Sequence, residues 1–259
     1  MRGDPSAAVS VVIVHHRVPE VLAEALERLR RHAPRAEIVL VDTAPDEAVV
    51  ARASAALPHL TIVRAPNHSY AYAVDLGLKR ARRRLALLMN ADVYLQAGVV
   101  ERLVAALEAH PRAAAAAPLA RTVAGRREDH GPLYHVHYLR LALKPGGSVR
   151  VPWLPGSLML VRRAALAQVG GLDASLRFYN EDVDLCLRLR AAGHDCRLVD
   201  VPVLHLGGAS TPTSPDFLVE GVRGAYQLSR RYLPVPLRRA HRIMLIAWGT
   251  AAARLSATP

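Results

Sequence analysis

A chain of 259 residues accommodates one large domain, or one domain with an appendage. It is 51% hydrophobic and 22% charged, which excludes a long disordered protein and provides for a substantial core. The net charge of +12 is almost entirely arginine, since Lys79 and Lys144 are the only lysines. Such a balance suits nucleic acid, anionic lipid or a phosphorylated small molecule, and equally a plain bias toward Ala and Arg.

The two cysteines, Cys186 and Cys196, make no metal-type cluster and fit a reduced, cytoplasmic protein. Met1-Arg2-Gly3-Asp4-Pro5 lacks the apolar core of a signal peptide. No apolar run approaches the roughly 20 residues of a membrane-spanning helix.

Strand and helix signals alternate along the first part of the chain. Val9-Ser10-Val11-Val12-Ile13-Val14 reads as a strand buried on both faces. Glu20 to Arg31 is helical, with Val21, Leu22, Ala25, Leu26 and Leu29 on one side. Glu37 to Asp42 is a second strand, Asp46 to Leu57 a helix, and Leu60 to Val63 a third strand. Tyr70 to Arg82 is helical and Leu85 to Met89 a fourth strand. This alternation predicts an α/β fold with a mostly parallel central sheet flanked by helices. Ligands bind such sheets beyond the carboxyl ends of the strands. There lie His15-His16-Arg17, Asp42 and Asn90-Ala91-Asp92.

From Arg121 to Arg150 the alternation fades into expected loops and short strands. His135 and His137 share a face if that segment is extended, but an exposed strand face explains them better than a metal site. Regular structure resumes at Leu158-Met159-Leu160-Val161, and a helix runs to Ala192 from the acidic mouth Asn180-Glu181-Asp182-Val183-Asp184. Asn180 suits the N-cap, and acids in a first turn favour the helix dipole. A strand from Arg197 to Val203 then leads to His205.

Residues 211–259 form an expected helical extension to a catalytic domain spanning 1–210. Helices are predicted over Asp216 to Arg231 and Leu237 to Leu255. Arg238, Arg239 and Arg242 precede the apolar stretch Ile243 to Ala253, which holds Trp248. That pattern fits peripheral membrane contact or docking on the domain's own core.

Carboxylates at Asp92 and at 181–184, with the imidazole of His205, make a reasonable setting for Mn or Mg. A Gly-x-Gly-x-x-Gly turn is missing after the first strand, which argues against a nicotinamide enzyme. The basic run Lys79-Arg80-Ala81-Arg82-Arg83-Arg84 invites a nucleic-acid reading, but a solvated helix end explains it better, and no nucleic acid is expected as partner.

In order and spacing, these pieces resemble the family 2 glycosyltransferases of GT-A fold, above all the rhamnosyltransferase-like branch. The resemblance runs from Val9 to Ser210 and includes Asn67 through Gly77, Gly156 to Arg163 and Gly170-Gly171-Leu172-Asp173. It implies inverting transfer of a sugar, rhamnose favoured, from a dTDP- or UDP-linked donor to a sugar or lipid-linked sugar acceptor in cell-envelope synthesis. Asp182 would be the general base. Asp92 and His205 would bind the metal. Asp42, Asn67, Asn90 and His15 would contact the nucleotide. Glu181, Asp184, Trp153 and Gly156 would shape the substrate site. A catalytically inactive relative is the alternative, and a homodimer is compatible with the reading. His15-His16-Arg17 and His68-Ser69-Tyr70-Ala71-Tyr72 depart from the family's usual residues at those places.

Overall fold

A computed structural model describes residues 3–44, 46–57, 59–131, 134–209 and 215–256, with side chains except at 56, 215–218 and 248–256. The expected domain boundary at 210/211 and the Trp248 side chain lie outside these residues. The chain runs β1 (Val9–His15), α1 (Pro19–His32), β2 (Glu37–Asp42), α2 (Glu47–Ala56), β3 (Thr61–Arg64), α3 (Tyr70–Leu78), β4 (Leu85–Asn90) and β5 (Val93–Tyr94). Next come α4 (Val99–Ala109), β6 (Ala113–Arg121), α5 (His135–Ala142), β7 (Ser148–Val151), β8 (Leu158–Arg162) and α6 (Arg163–Gln168). It ends with α7 (Glu181–Ala191), β9 (Asp195–His205), α8 (Pro215–Tyr232) and α9 (Val235–Ser256).

One sheet is ordered β3-β2-β1-β4-β8-β6-β9-β5, with β7 on β9. The first four strands are parallel, as their alternation with helices requires. β8 then enters antiparallel against both β4 and β6. Register brings His15 opposite Asp42 and Val14 opposite Asn90, so three carboxyl ends meet at one edge.

Side chains alternate across β1 as its period of two demands. Val9, Val11 and Ile13 face a core shared with Leu22, Leu26 and Leu29 of α1 and Leu103 of α4. Val12 faces the opposite core, built with Val74 of α3 and Leu185 and Leu189 of α7. Helix α3 lies so close that a Cβ on Gly77 would fall 2.4 Å from a methyl of Val12. Only glycine permits that approach.

Three expectations are corrected. Helix α3 stops at Leu78, not Arg82. The basic run connects it to β4, with Ala81 buried, the Arg82 and Arg83 amides donating to Glu37 and Ser10, and Arg84 paired with Glu108. Residues 135–142 form a helix, so His135 and His137, about 200° apart around it, share no face. Sequence periodicity also passes over α4 and β6. The latter is Ala-Ala-Ala-Ala-Ala-Pro-Leu-Ala-Arg, whose alanines are weak strand formers. Between β8 and β9 they are fully buried.

Candidate active site

A cleft of about 520 Å³ opens at the carboxyl edge of the parallel strands. His16, Thr43, Asn67 and Asn90 line it, as do Trp153, Gly156, Glu181, Asp182 and His205. His15, Asp42, Asp92 and Asp184 are not among its lining residues.

His15 and Asp42 form a closed buried pair, 1% and 0% exposed. The Val18 amide donates to His15 Nε2, so the ring proton sits on Nδ1 and donates to Asp42 Oδ1 at 3.0 Å. His15 is therefore turned inward, and it is its neighbour His16 that lines the cleft. His16 Nδ1 meets Thr43 Oγ1 at 3.1 Å, and that hydroxyl donates to the His15 carbonyl. Thr43 must then accept from His16, which leaves Nε2 as an acceptor facing the Asn67 amide at 3.5 Å. Burial, then Arg17 and His15, hold the His16 pKa below its ordinary value. Asp42 Oδ2 is buried without a hydrogen-bond partner among the described residues.

His205, at the end of β9, stands between two carboxylates. Its Nε2 is 3.3 Å from Asp92 Oδ1, and its Nδ1 bonds Glu128. Burial lowers its pKa, but the flanking carboxylates overcome this and lift it to about 9. Asp92 is buried at the turn after β4, and its Oδ1 has no hydrogen-bond partner among the described residues. The Asp92 oxygen, met only by the His205 ring, offers with that ring one carboxylate and one imidazole donor, types that fit Mg or Mn. Glu128 is on the far nitrogen, so the three groups do not converge on one point. No cluster of three His, Cys, Asp or Glu able to hold a metal occurs among the described residues.

The acidic mouth of α7 divides its labour. Asn180 takes the N-cap position but makes no capping bond with its side chain, contrary to expectation. Tyr179 and Asn180 are both left-handed, with φ of 65° and 71°. That backbone turns the Asn180 amide outward, where it donates to the Gly221 carbonyl of α8. Asp182 faces the cleft, its Oδ2 accepting from the Gly156 amide at 2.8 Å and its Oδ1 from the Val183 amide at 2.7 Å. A Cβ at residue 156 would lie 3.0 Å from that of Asp182, so glycine sets this approach. Burial raises the pKa of Asp182 against the pull of those amides, and burial with the Asp182 charge raises that of Glu181. Asp184, expected near the acceptor, is 0% exposed. It accepts from Arg188 (2.7 Å), Arg231 (3.2 Å) and the Tyr232 hydroxyl (2.8 Å), the last two from α8. Its charge anchors α7 to α8 because helical geometry points it away from the cleft when Asp182 faces in.

Trp153 lines the cleft and packs at 4.8 Å against Tyr134. Glu128 and Tyr70 are residues that sequence reasoning missed. Glu128 sits in a basic loop with no strand end to mark it. Tyr70 lines the cleft with a buried hydroxyl lacking a hydrogen-bond partner among the described residues, and burial raises its pKa.

The model of glycosyl transferase family 2 matches residues 10–170, and the chain belongs to that family. The match ends ahead of α7 and His205. The N-acetylglucosaminyl-diphospho-decaprenol L-rhamnosyltransferase of Mycobacterium tuberculosis is 34% identical, over 50% of this chain and 49% of that protein. Rhamnosyltransferase WbbL of Escherichia coli K12 is 39% identical over 32% of this chain and 31% of its own. The chain thus spans about half the length, or less, of the curated relatives it matches. The fold is GT-A. Among solved structures, GalNAc-T7 with UDP, GalNAc and Mn2+ superposes with a TM-score of 0.67 at 18% identity, over 97% of this chain and 58% of that one. Mannosyltransferase PcManGT of Pyrobaculum calidifontis, with GDP-Man and Mn2+, gives 0.65 at 18% identity, over 97% and 76%.

Proposed function

We propose that this protein is a metal-dependent, inverting glycosyltransferase that moves a sugar from a nucleoside-diphosphate sugar to an acceptor hydroxyl. The observation that carries it is Asp182, held in the cleft by the Gly156 and Val183 amides. Two fixed N–H donors aim a carboxylate at one spot, and each of its oxygens keeps a lone pair for a proton. The acceptor oxygen attacks the anomeric carbon, its proton passes to Asp182, and the bond to the diphosphate breaks with its electron pair on the leaving oxygen. A single displacement inverts the carbon.

Asp92 and His205 would hold Mg or Mn. The ion supplies positive charge to the departing diphosphate. Glu128 on Nδ1 fixes which way the His205 ring points, as a carboxylate behind a ligating histidine does elsewhere. The nucleotide lies over His16, Thr43 and Asn67, and Asp42 supports that edge from behind, accepting from the His15 ring and the Ala44 amide. Asn90, with an amide in place of a charge, adds a hydrogen bond. Glu181 and Trp153 border the acceptor. The names of the Mycobacterium tuberculosis and Escherichia coli relatives favour rhamnose as the sugar, and the first favours a lipid-linked acceptor. In this reading residues 1–210 are the catalytic domain and 211–259 its helical extension. α9 would touch membrane, since Leu237, Ile243 and Met244 are exposed among Arg238, Arg239 and Arg242. No helix among the described residues is long and apolar enough to cross one.

A thermal-shift screen of nucleoside diphosphates with and without Mn or Mg tests the reading. A metal-dependent shift with one preferred base is expected. The absence of any shift overturns it.

A further inference from the structure

Helix α5 carries an apolar stripe that nothing in the described structure covers. Val136, Leu139 and Leu143 recur at helical spacing and are 53%, 64% and 76% exposed. The opposite side of the same helix is buried: Tyr134, Tyr138 and Leu141 belong to the core. The Tyr134 ring packs on Trp153, and its hydroxyl donates to the Trp153 carbonyl. Tyr138 donates to the carbonyl of Glu128. The outer stripe is therefore about one helix diameter, ~10 Å, from the wall of the cleft.

Its charged surroundings are predominantly cationic. Arg140, Lys144 and Arg150 are exposed around the stripe, and Arg127 lies over the Tyr138 ring. The chain carries no acid between Asp129 and Asp173. The carboxylates nearby are already engaged: Asp129 stands by His135, Asp195 by Arg150, and Asp200 accepts from the Gly146 amide.

We infer that α5 docks the cleft mouth onto an anionic membrane surface. Exposed leucines flanked by an excess of cations are what a headgroup layer accepts: the apolar side chains enter the acyl boundary while the cations meet lipid phosphates. A protein partner for the same stripe would have to supply the counter-charges of Arg140 and Lys144 itself. The docking stands on this patch alone. Its use, holding the acceptor pocket where a lipid-linked sugar protrudes, rests on the function proposed above.

The test measures partitioning of the full chain onto phosphatidylcholine vesicles with and without phosphatidylglycerol. Wild type should bind the anionic vesicles and release with added salt. Leu139→Gln with Leu143→Gln should weaken that binding about tenfold or more. Turnover of a soluble acceptor, and metal-dependent nucleotide shifts, should stay at the wild-type level. Arg140→Gln with Lys144→Gln should lose the preference for anionic vesicles, which separates docking from misfolding of the leucine pair. Three results overturn the inference: wild type failing to bind anionic vesicles, both α5 pairs binding like wild type while loss of residues 236–259 removes binding, or sedimentation showing a dimer that the leucine pair dissolves. Vesicle binding without any nucleotide shift would retain the docking and sink the glycosyl-transfer reading.

Discussion

Two His–Asp pairs stand at the ends of neighbouring strands, and their difference is instructive. In His15–Asp42 the imidazole has both nitrogens committed, one to a carboxylate and one to the Val18 amide. In His205–Asp92 both nitrogens face carboxylates, and Asp92 keeps an oxygen without a hydrogen-bond partner. Each pair keeps one buried carboxylate oxygen without a hydrogen-bond partner among the described residues, but only the second has a member, His205, lining the cleft, and only the second has a second carboxylate, Glu128. The same two residue types are thus a fastening in one place and a proposed ligand set in the other, and access to the cleft tells them apart.

The largest effect should come from the carboxylate that the open pair serves. Asp182→Asn is expected to lower transfer by about 10²-fold or more while nucleotide binding persists; wild-type turnover would remove it as base. Asp92→Ala should largely abolish the metal dependence of nucleoside-diphosphate affinity. Glu128→Gln, which only supports the ring, should weaken it by about 10–100-fold. An unchanged titration in Asp92→Ala would break the contrast at its open end.

His15→Leu addresses the closed end. It should cost about 1–3 kcal/mol in urea unfolding, because Asp42 loses its buried partner. Metal-dependent affinity should hardly move. The opposite pattern, unchanged stability with lost affinity, would make His15 a ligand-binding residue after all.

The smallest effect concerns Glu181. Burial and the Asp182 charge hold its pKa above the ordinary value, so the folded chain binds that proton more tightly than the unfolded chain. Stability therefore falls as pH climbs above the ordinary carboxylate range, about pH 4. Glu181→Gln should flatten that dependence and raise Tm at neutral pH by roughly 2–4 °C. A Tm–pH profile identical to wild type would show that Glu181 is not strained by its site.

The parallel half of the sheet was legible because β1, β2 and β4 are β-branched or leucine-rich runs with helical spacing between them. So were the residues just beyond these strands, since topology alone sends them to one edge. β6 was not, because its alanines are chosen for fit between two neighbours and not for strand propensity. His15 and His16 could not be distinguished in sequence. Alternation puts them on opposite sides, but which side is cleft depends on the Val18 amide and on Thr43. Asp182 and Asp184 posed a like problem: both sit in the first turn, and only the packing of α8 shows which one is buried. Glu128 left no trace, since its partner is 77 residues away.

The anchoring of Asp184 has a consequence for how the chain can be shortened. Two of its three side-chain partners, Arg231 and Tyr232, arrive from the last turn of α8, and Arg231 also holds Asp173 ahead of α7. A protein ending before residue 231 would keep every residue named as lining the cleft and still strand a buried carboxylate two positions from the proposed base. The tail is thereby a part of the active site's foundation, and its removal should be felt first as a loosened helix and only afterwards as a missing surface.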